Sequence, residues 1–190
     1  MNIINIINEE IASITAKTIE QFYAENNINP DNLSYLGSGD FGEAYSTGDD
    51  RVVKTTSSDN EFKIAKELAG KSVPATEGLV DIYVAEIVQG SYMIIMEELS
   101  EDSDIENMYY ELQEHLEEQG LPIQYLSNLD TDGLELDDKM LSFISDVEDI
   151  NYGYRYLGVE ASDIKPDNMG RNKAGKIKAF DLDDKHRWFI

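Results

Sequence analysis

Between Leu33 and Met96 the chain is cut into short apolar runs by glycine-containing turns, and beyond Glu98 it switches to longer segments of helical period. That switch constrains the fold more than any other feature. Leu33 to Leu36, Glu43 to Ser46 and Arg51 to Thr55 are separated by Gly37-Ser38-Gly39-Asp40-Phe41-Gly42 and by Gly48-Asp49-Asp50, the pattern of three antiparallel strands. Leu79 to Val88 and Ser91 to Met96, joined across Gln89-Gly90, add two more. Between these sets Asp59 or Asn60 is placed to cap a helix from Glu61 to Leu68, which Gly70 and then Pro74 end. Strands followed by helices predict an α+β chain with a boundary near Glu98.

The flanks fill in the organisation. Ile7, Ile11, Ile14 and Phe22 lie near helical spacing with acidic and basic residues between them, so residues 1–30 read as an amphipathic helical extension ended around Pro30. Residues 31–98 form the strand-rich unit and 99–190 the helix-rich one. In the latter, an acidic helical segment runs to Gly120 and a looser stretch spans Pro122 to Gly133. A long helix from Leu136 to about Tyr156 then carries a stripe of Leu141, Ile144, Val147, Ile150 and Tyr154. A short strand near Met169, a turn at Asn172 to Gly175 and a β segment from Lys176 to Phe180 complete the pattern.

Composition excludes some chemistries. No cysteine is present, which removes disulfides and thiol catalysis, and the two histidines, His115 and His186, are too few for a His-rich zinc site. The first residues have no basic leader and are interrupted by Glu9 and Glu10, so they predict neither a signal peptide nor a membrane span, and a cytoplasmic protein is expected. Fifteen Lys and Arg against thirty-nine Asp and Glu give a formal net charge of −24. Such a charge disfavours direct binding to nucleic acid or anionic membranes and favours a basic protein partner or protein substrate.

Three segments carry chemistry. The run Gly37 to Gly42 fits GxGxxG, which alone is compatible with a plain turn or a dinucleotide site. A dinucleotide site requires a helix directly after the glycines, whereas Glu43 to Thr47 reads as strand, so the context favours a hairpin lid whose backbone approaches phosphates and whose Phe41 covers the tip. Lys54 lies on the adjoining strand, where its ammonium reaches phosphate oxygens and needs a carboxylate to hold it. Glu61 is the preferred partner and Glu67 the reserve. The third segment, Asp163-Ile164-Lys165-Pro166-Asp167-Asn168, follows a long helix and precedes an apolar strand ending at Asp181. Phosphoryl transfer needs a carboxylate at the acceptor hydroxyl, a cation near the moving phosphoryl group and oxygen ligands for Mg²⁺; Asp163, Lys165, and Asn168 with Asp181 supply them in that order.

Taken together these residues resemble the protein-kinase-like superfamily, over about Leu33 to Asp184. Gly37, Gly39, Phe41 and Gly42 look like its phosphate-covering loop, and Lys54 like its phosphate-binding lysine. Tyr92 to Leu99 resembles the strand and hinge that meet adenine through backbone groups, with Glu97 and Leu99 at the base. Asp163, Lys165 and Asn168 match the catalytic loop, and Asp181 the metal-binding aspartate. The resemblance implies a two-lobed α+β fold, with a small antiparallel-sheet N-lobe and an abbreviated, mainly helical C-lobe. ATP and Mg²⁺ are the implied cofactors. Departures accompany it: Ala161-Ser162 stand where His-Arg is usual, Asp181-Leu182-Asp183 where Asp-Phe-Gly is usual, and only nine residues follow Asp181, too few for the usual activation segment and substrate platform.

The resemblance implies an ATP- and Mg²⁺-dependent Ser/Thr protein kinase, with autophosphorylation and self-association left open. A catalytically silent kinase-like binder using the acidic surface, and a nucleic-acid mimic, are the alternatives from other classes.

Overall fold

In a computed structural model, residues 17–39, 41–132, 134–158 and 164–182 are described. They form a mixed α+β fold: an N-terminal region rich in antiparallel strands and helices, then a C-terminal region with long helices. Five strands, β1 (Ser34–Ser38), β2 (Gly42–Ser46), β3 (Arg51–Thr56), β4 (Ile82–Val88) and β5 (Ser91–Glu97), make one sheet in the order β1-β2-β3-β5-β4, with every neighbouring pair antiparallel. Short turns join β1 to β2, β2 to β3 and β4 to β5, so each of these pairs is a hairpin. Leu79, expected at the start of β4, instead forms an isolated parallel bridge to Ala179.

Alternation along the strands gives the sheet two apolar faces. On one, Val53, Val88, Met93 and Ile95 pack with Phe22 and Ile28. Phe22 belongs to α1 (Ile19–Glu25), which Thr18 and Gln21 start with a capping box. The remaining expected stripe residues of the extension, Ile7, Ile11 and Ile14, lie outside the described residues. The other face, with Val52, Ile94 and Met96, joins the larger apolar cluster. That cluster takes in Phe62, Ile64 and Leu68 of α2 (Asp59–Leu68), Leu112 of α3 (Ser103–Glu118) and Val147 and Ile150 of α4 (Asp138–Leu157).

α2 is capped by Ser58, one residue before the expected Asp59 and two before the alternative Asn60, and its Phe62 ring stacks on Tyr92 of β5 at 4.3 Å between centroids. On α4 the buried stripe is Met140, Phe143, Ile144, Val147, Ile150, Tyr154 and Leu157. Leu141, expected within it, is 45% exposed. A second, two-stranded sheet pairs β6 (Met169–Arg171) with β7 (Ile177–Ala179) in antiparallel register. β7 is stitched to the segment before β4: Val80 N–H donates to Ala179 C=O at 2.8 Å, and Ala179 N–H to Gly78 C=O at 2.9 Å.

Candidate functional site

The glycine hairpin is held at its tip and open along its outer edge. Gly39 N–H donates to Gly42 C=O at 2.9 Å, while Phe41 C=O accepts from Ser57 N–H at 2.6 Å and from Ser57 Oγ at 3.0 Å. A Cβ at Gly42 would lie 1.7 Å from the Thr55 carbonyl oxygen, so β2 and β3 approach here only because this residue has no side chain. Cβ atoms at Gly37 and Gly39 would meet nothing within 4 Å, so their backbone stays accessible to a ligand. Phe41 is 39% exposed. Asp40 lies outside the described residues.

Lys54 sits at the centre of the sheet, opposite Ala44 on one side and Ile94 on the other. Strand alternation puts it on the same face as Val52, toward α2, where it forms an ion pair with Glu61. Ser58 Oγ accepts from Glu61 N–H, as in a capping box. The Glu61 carboxylate that would return to the cap backbone is instead committed to Lys54, and Ser58 N–H is satisfied by Thr56 Oγ1 at 3.1 Å. Glu61 is 3% exposed, whereas Glu67, the reserve partner, is exposed on the same helix. A buried carboxylate in the first turn of a helix, paired to a lysine on the middle strand, orients that ammonium across the sheet face.

The second group of residues lies around the β6–β7 hairpin. Ile164 is buried, and its carbonyl accepts from the Tyr109 hydroxyl of α3 at 2.7 Å, which fixes the backbone just before Lys165. Lys165 is exposed and precedes a single 3-10 turn, Pro166–Asn168. Register Met169↔Ala179 sets Asn168 opposite Phe180, whose N–H donates to Asn168 C=O at 3.0 Å, so Asp181 follows one residue beyond the partner of Asn168 at the open end of the hairpin. Tyr154 of α4, fully buried, anchors Asp181 by donating to its carbonyl at 2.9 Å. Asp163 lies outside the described residues. An amide and a carboxylate are hard oxygen donors that suit Mg²⁺ when phosphate oxygens and water complete the shell. Among the described residues no group of three or more His, Cys, Asp or Glu is gathered as a metal site.

Between the two groups runs the linker 97–100, braced on both sides of one residue. Glu98 N–H donates to Asp50 C=O at 2.9 Å and its carboxylate accepts from Ser46 Oγ at 2.7 Å. Ser100 and Arg171 exchange both backbone hydrogen bonds, each 2.9 Å. Leu99, between them, makes no backbone hydrogen bond to any described residue. Its side chain seats on Gly170, where a Cβ would lie 2.7 Å from Leu99 Cβ. Glu97 N–H donates to Asp81 C=O at 2.8 Å, and its carboxylate accepts from Lys178 Nζ of β7, also at 2.8 Å.

Lys178 is 6% exposed and also pairs with Asp81 at 3.1 Å. Burial disfavours its charge, but the two carboxylates outweigh burial and hold the ammonium above the usual lysine range. Sequence reasoning did not single Lys178 out. Its signal was present: a cation flanked directly by Ile177 and Ala179 in a short, mainly apolar β segment. Tyr109 and Tyr154, the two hydroxyls that pin the loop and the strand end, carried no comparable signal. A surface hollow of about 420 Å³ lies beside the tip of the glycine hairpin, lined by Phe41, Thr55, Ser57, Gly90 and Tyr92 and by none of the residues around the β6–β7 hairpin.

No helix among the described residues is long and apolar enough to cross a membrane. Comparison with protein-family models gave no match, and comparison with curated proteins gave no relative.

Proposed function

We propose that the chain is an ATP- and Mg²⁺-dependent phosphotransferase of protein-kinase-like, two-lobed type, acting on a Ser or Thr hydroxyl of a protein. The observation that carries this reading is the Lys54–Glu61 pair on the strand next to the glycine hairpin, because a held cation near the open backbone of Gly37 and Gly39 suits phosphate binding. The assigned roles follow the chain. Gly37, Gly39 and Gly42 shape the lid and Phe41 covers it; Lys54 meets the phosphates. Leu99, whose N–H and C=O make no backbone bond to a described residue, offers them to the base, next to Glu97. Asn168 and Asp181 hold Mg²⁺, which neutralises phosphate charge when bound. Asp163 orients the acceptor hydroxyl and takes its proton, and Lys165, which is exposed, compensates the charge of the moving group.

The test is a pair of measurements on the purified chain. Millimolar Mg-ATP raises the unfolding temperature of the wild type, and Asp181→Asn reduces the Mg²⁺ dependence of that rise. Radiolabelled γ-phosphate is then transferred in cell extract by the wild type and not by Asp163→Asn, which still binds Mg-ATP. Absence of both heat and thermal shift at millimolar Mg-ATP removes the reading.

A second reading, a catalytically silent binder of a basic protein, is favoured by α3. That helix carries Asp104, Glu106, Glu111, Glu114, Glu117 and Glu118 and no Lys or Arg. Under this reading Asp163→Asn retains the biological effect, and partner affinity falls as salt shortens the Debye length from about 8 Å at physiological ionic strength to about 3 Å at 1 M.

A further inference from the structure

We propose that Lys178 is a positioning residue for the Mg-ATP site, locking the base-binding end of the cleft to its metal-binding end. The inference rests on the nucleotide reading above. Lys178 lies three residues before Asp181 on the same extended segment, about 10 Å at the strand rise of 3.3 Å per residue. Its partner Glu97 lies two residues before Leu99. One ammonium therefore sits where the strand leading to the metal ligand crosses the strand leading to the base contact. It is bonded to Glu97 at 2.8 Å and to Asp81 at 3.1 Å.

For stability alone, apolar residues in place of Lys178 and Glu97 together would seal this junction at lower cost, because burying a charge among charges loses hydration that the pair only partly restores. A directional link does something an apolar contact cannot: it fixes register. The backbone bonds of Ala179 with Gly78 and Val80 hold β7 beside the segment entering β4, but they leave the linker out. Ser100 and Arg171 tie the far end of the linker to β6 by backbone bonds, and Lys178 adds the side-chain link from β7 to Glu97, where the linker begins. A rigid spacing between the two ends matters only to a ligand that spans both. Such a ligand gains from having its second contact prepaid by the first, whereas a fragment that touches one end does not.

Titration calorimetry with three probes tests this on the full chain: adenosine for the base end, Mg-tripolyphosphate for the metal end, and Mg-ATP for both. At a temperature where circular dichroism shows Lys178→Met folded, Mg-ATP affinity is expected to fall about tenfold or more. Adenosine and Mg-tripolyphosphate should each stay within about twofold of wild type, and Lys178→Arg should recover part of the loss. Should Lys178→Met fail to fold, Lys178→Gln, which keeps a donor for one carboxylate but cannot hold both, is expected to show the same selective loss. Equal Mg-ATP affinity in the variant and wild type overturns the inference while leaving the nucleotide site standing. Equal proportional weakening of all three probes also overturns it, because that is the mark of a merely structural lysine. A wild type that binds no Mg-ATP overturns the nucleotide reading and this inference with it.

Discussion

Removing the cation at the centre of the sheet should cost the fold more than removing the carboxylate it holds. Glu61 has a side chain only 4% exposed, and Lys54 is 19% exposed. In Lys54→Met the carboxylate is stranded in an apolar setting beside Phe62 and Ile64, which are buried. Breaking a buried pair from one side costs about 3–5 kcal/mol, and the partial exposure here places the expected loss near the lower end, about 3 kcal/mol. For a chain of this size that corresponds to a fall of about 6–12 °C in melting temperature. Glu61→Leu should cost less, about 1–2 kcal/mol, because Lys54 can turn its ammonium toward water. The double variant Lys54→Met/Glu61→Leu replaces both charges with apolar groups and should be more stable than Lys54→Met alone. Urea denaturation of the four proteins closes the cycle. If the double variant loses the sum of the single losses to within about 0.5 kcal/mol, the two side chains are energetically independent and the reasoning is refuted. Adding Mg-ATP separates fold from function: a ligand at 100 times its Kd stabilises by about 2.7 kcal/mol, and the double variant should remain folded yet lose that gain.

Two further outcomes follow from local geometry. Asp49 accepts hydrogen bonds from Arg51 and then Thr47, which lower its carboxyl to about 2, so the stability it contributes is present above the ordinary carboxylate value of about 4 and is lost as the pH falls through about 2. Acid titration of the folded state should therefore show a steeper loss between about pH 4 and pH 2 in wild type than in Asp49→Asn; identical profiles would show that the pair is screened to nothing. Gly42→Ala forces a Cβ into the Thr55 carbonyl and should cost about 1–3 kcal/mol or more, whereas Gly39→Ala, in open space, should change stability by less than about 0.5 kcal/mol. Equal effects at the two glycines would mean that the hairpin shifts freely to make room.

Legibility of the sequence divided along a physical line. Hairpins are local, so Gly48, Gly90 and Gly175, all with positive φ, marked their turns and with them the strands on either side. Long helices announce themselves by period, and α4 begins and ends within two residues of the expected span. Errors arose where a tertiary neighbour decided. Leu141 stands three residues before Ile144 but is turned off the face of α4 that buries Met140, Phe143, Val147 and Ile150, and it is left exposed. Leu79 has strand composition but is drawn to Ala179 instead of β5. The same division holds at the site. Lys54 and Glu61 were visible because seven residues and one turn separate them. The Lys178–Glu97 contact spans 81 residues, and nothing local encodes which of thirty-nine acids answers a given lysine.

The face of the sheet covered by α1 bears on the order in which the chain is made. Phe22 and Ile28 leave the ribosome early, yet the surface they fill is built from Val53, Val88, Met93 and Ile95. The contact that closes this layer, Lys17 with Glu86, joins residues 69 apart. At about 5–20 residues per second, the N-terminal segment waits about 3–14 s for a place to dock. For that interval Phe22 and Ile28 lack the sheet face that buries them, so α1 completes its packing only after β5 has been made.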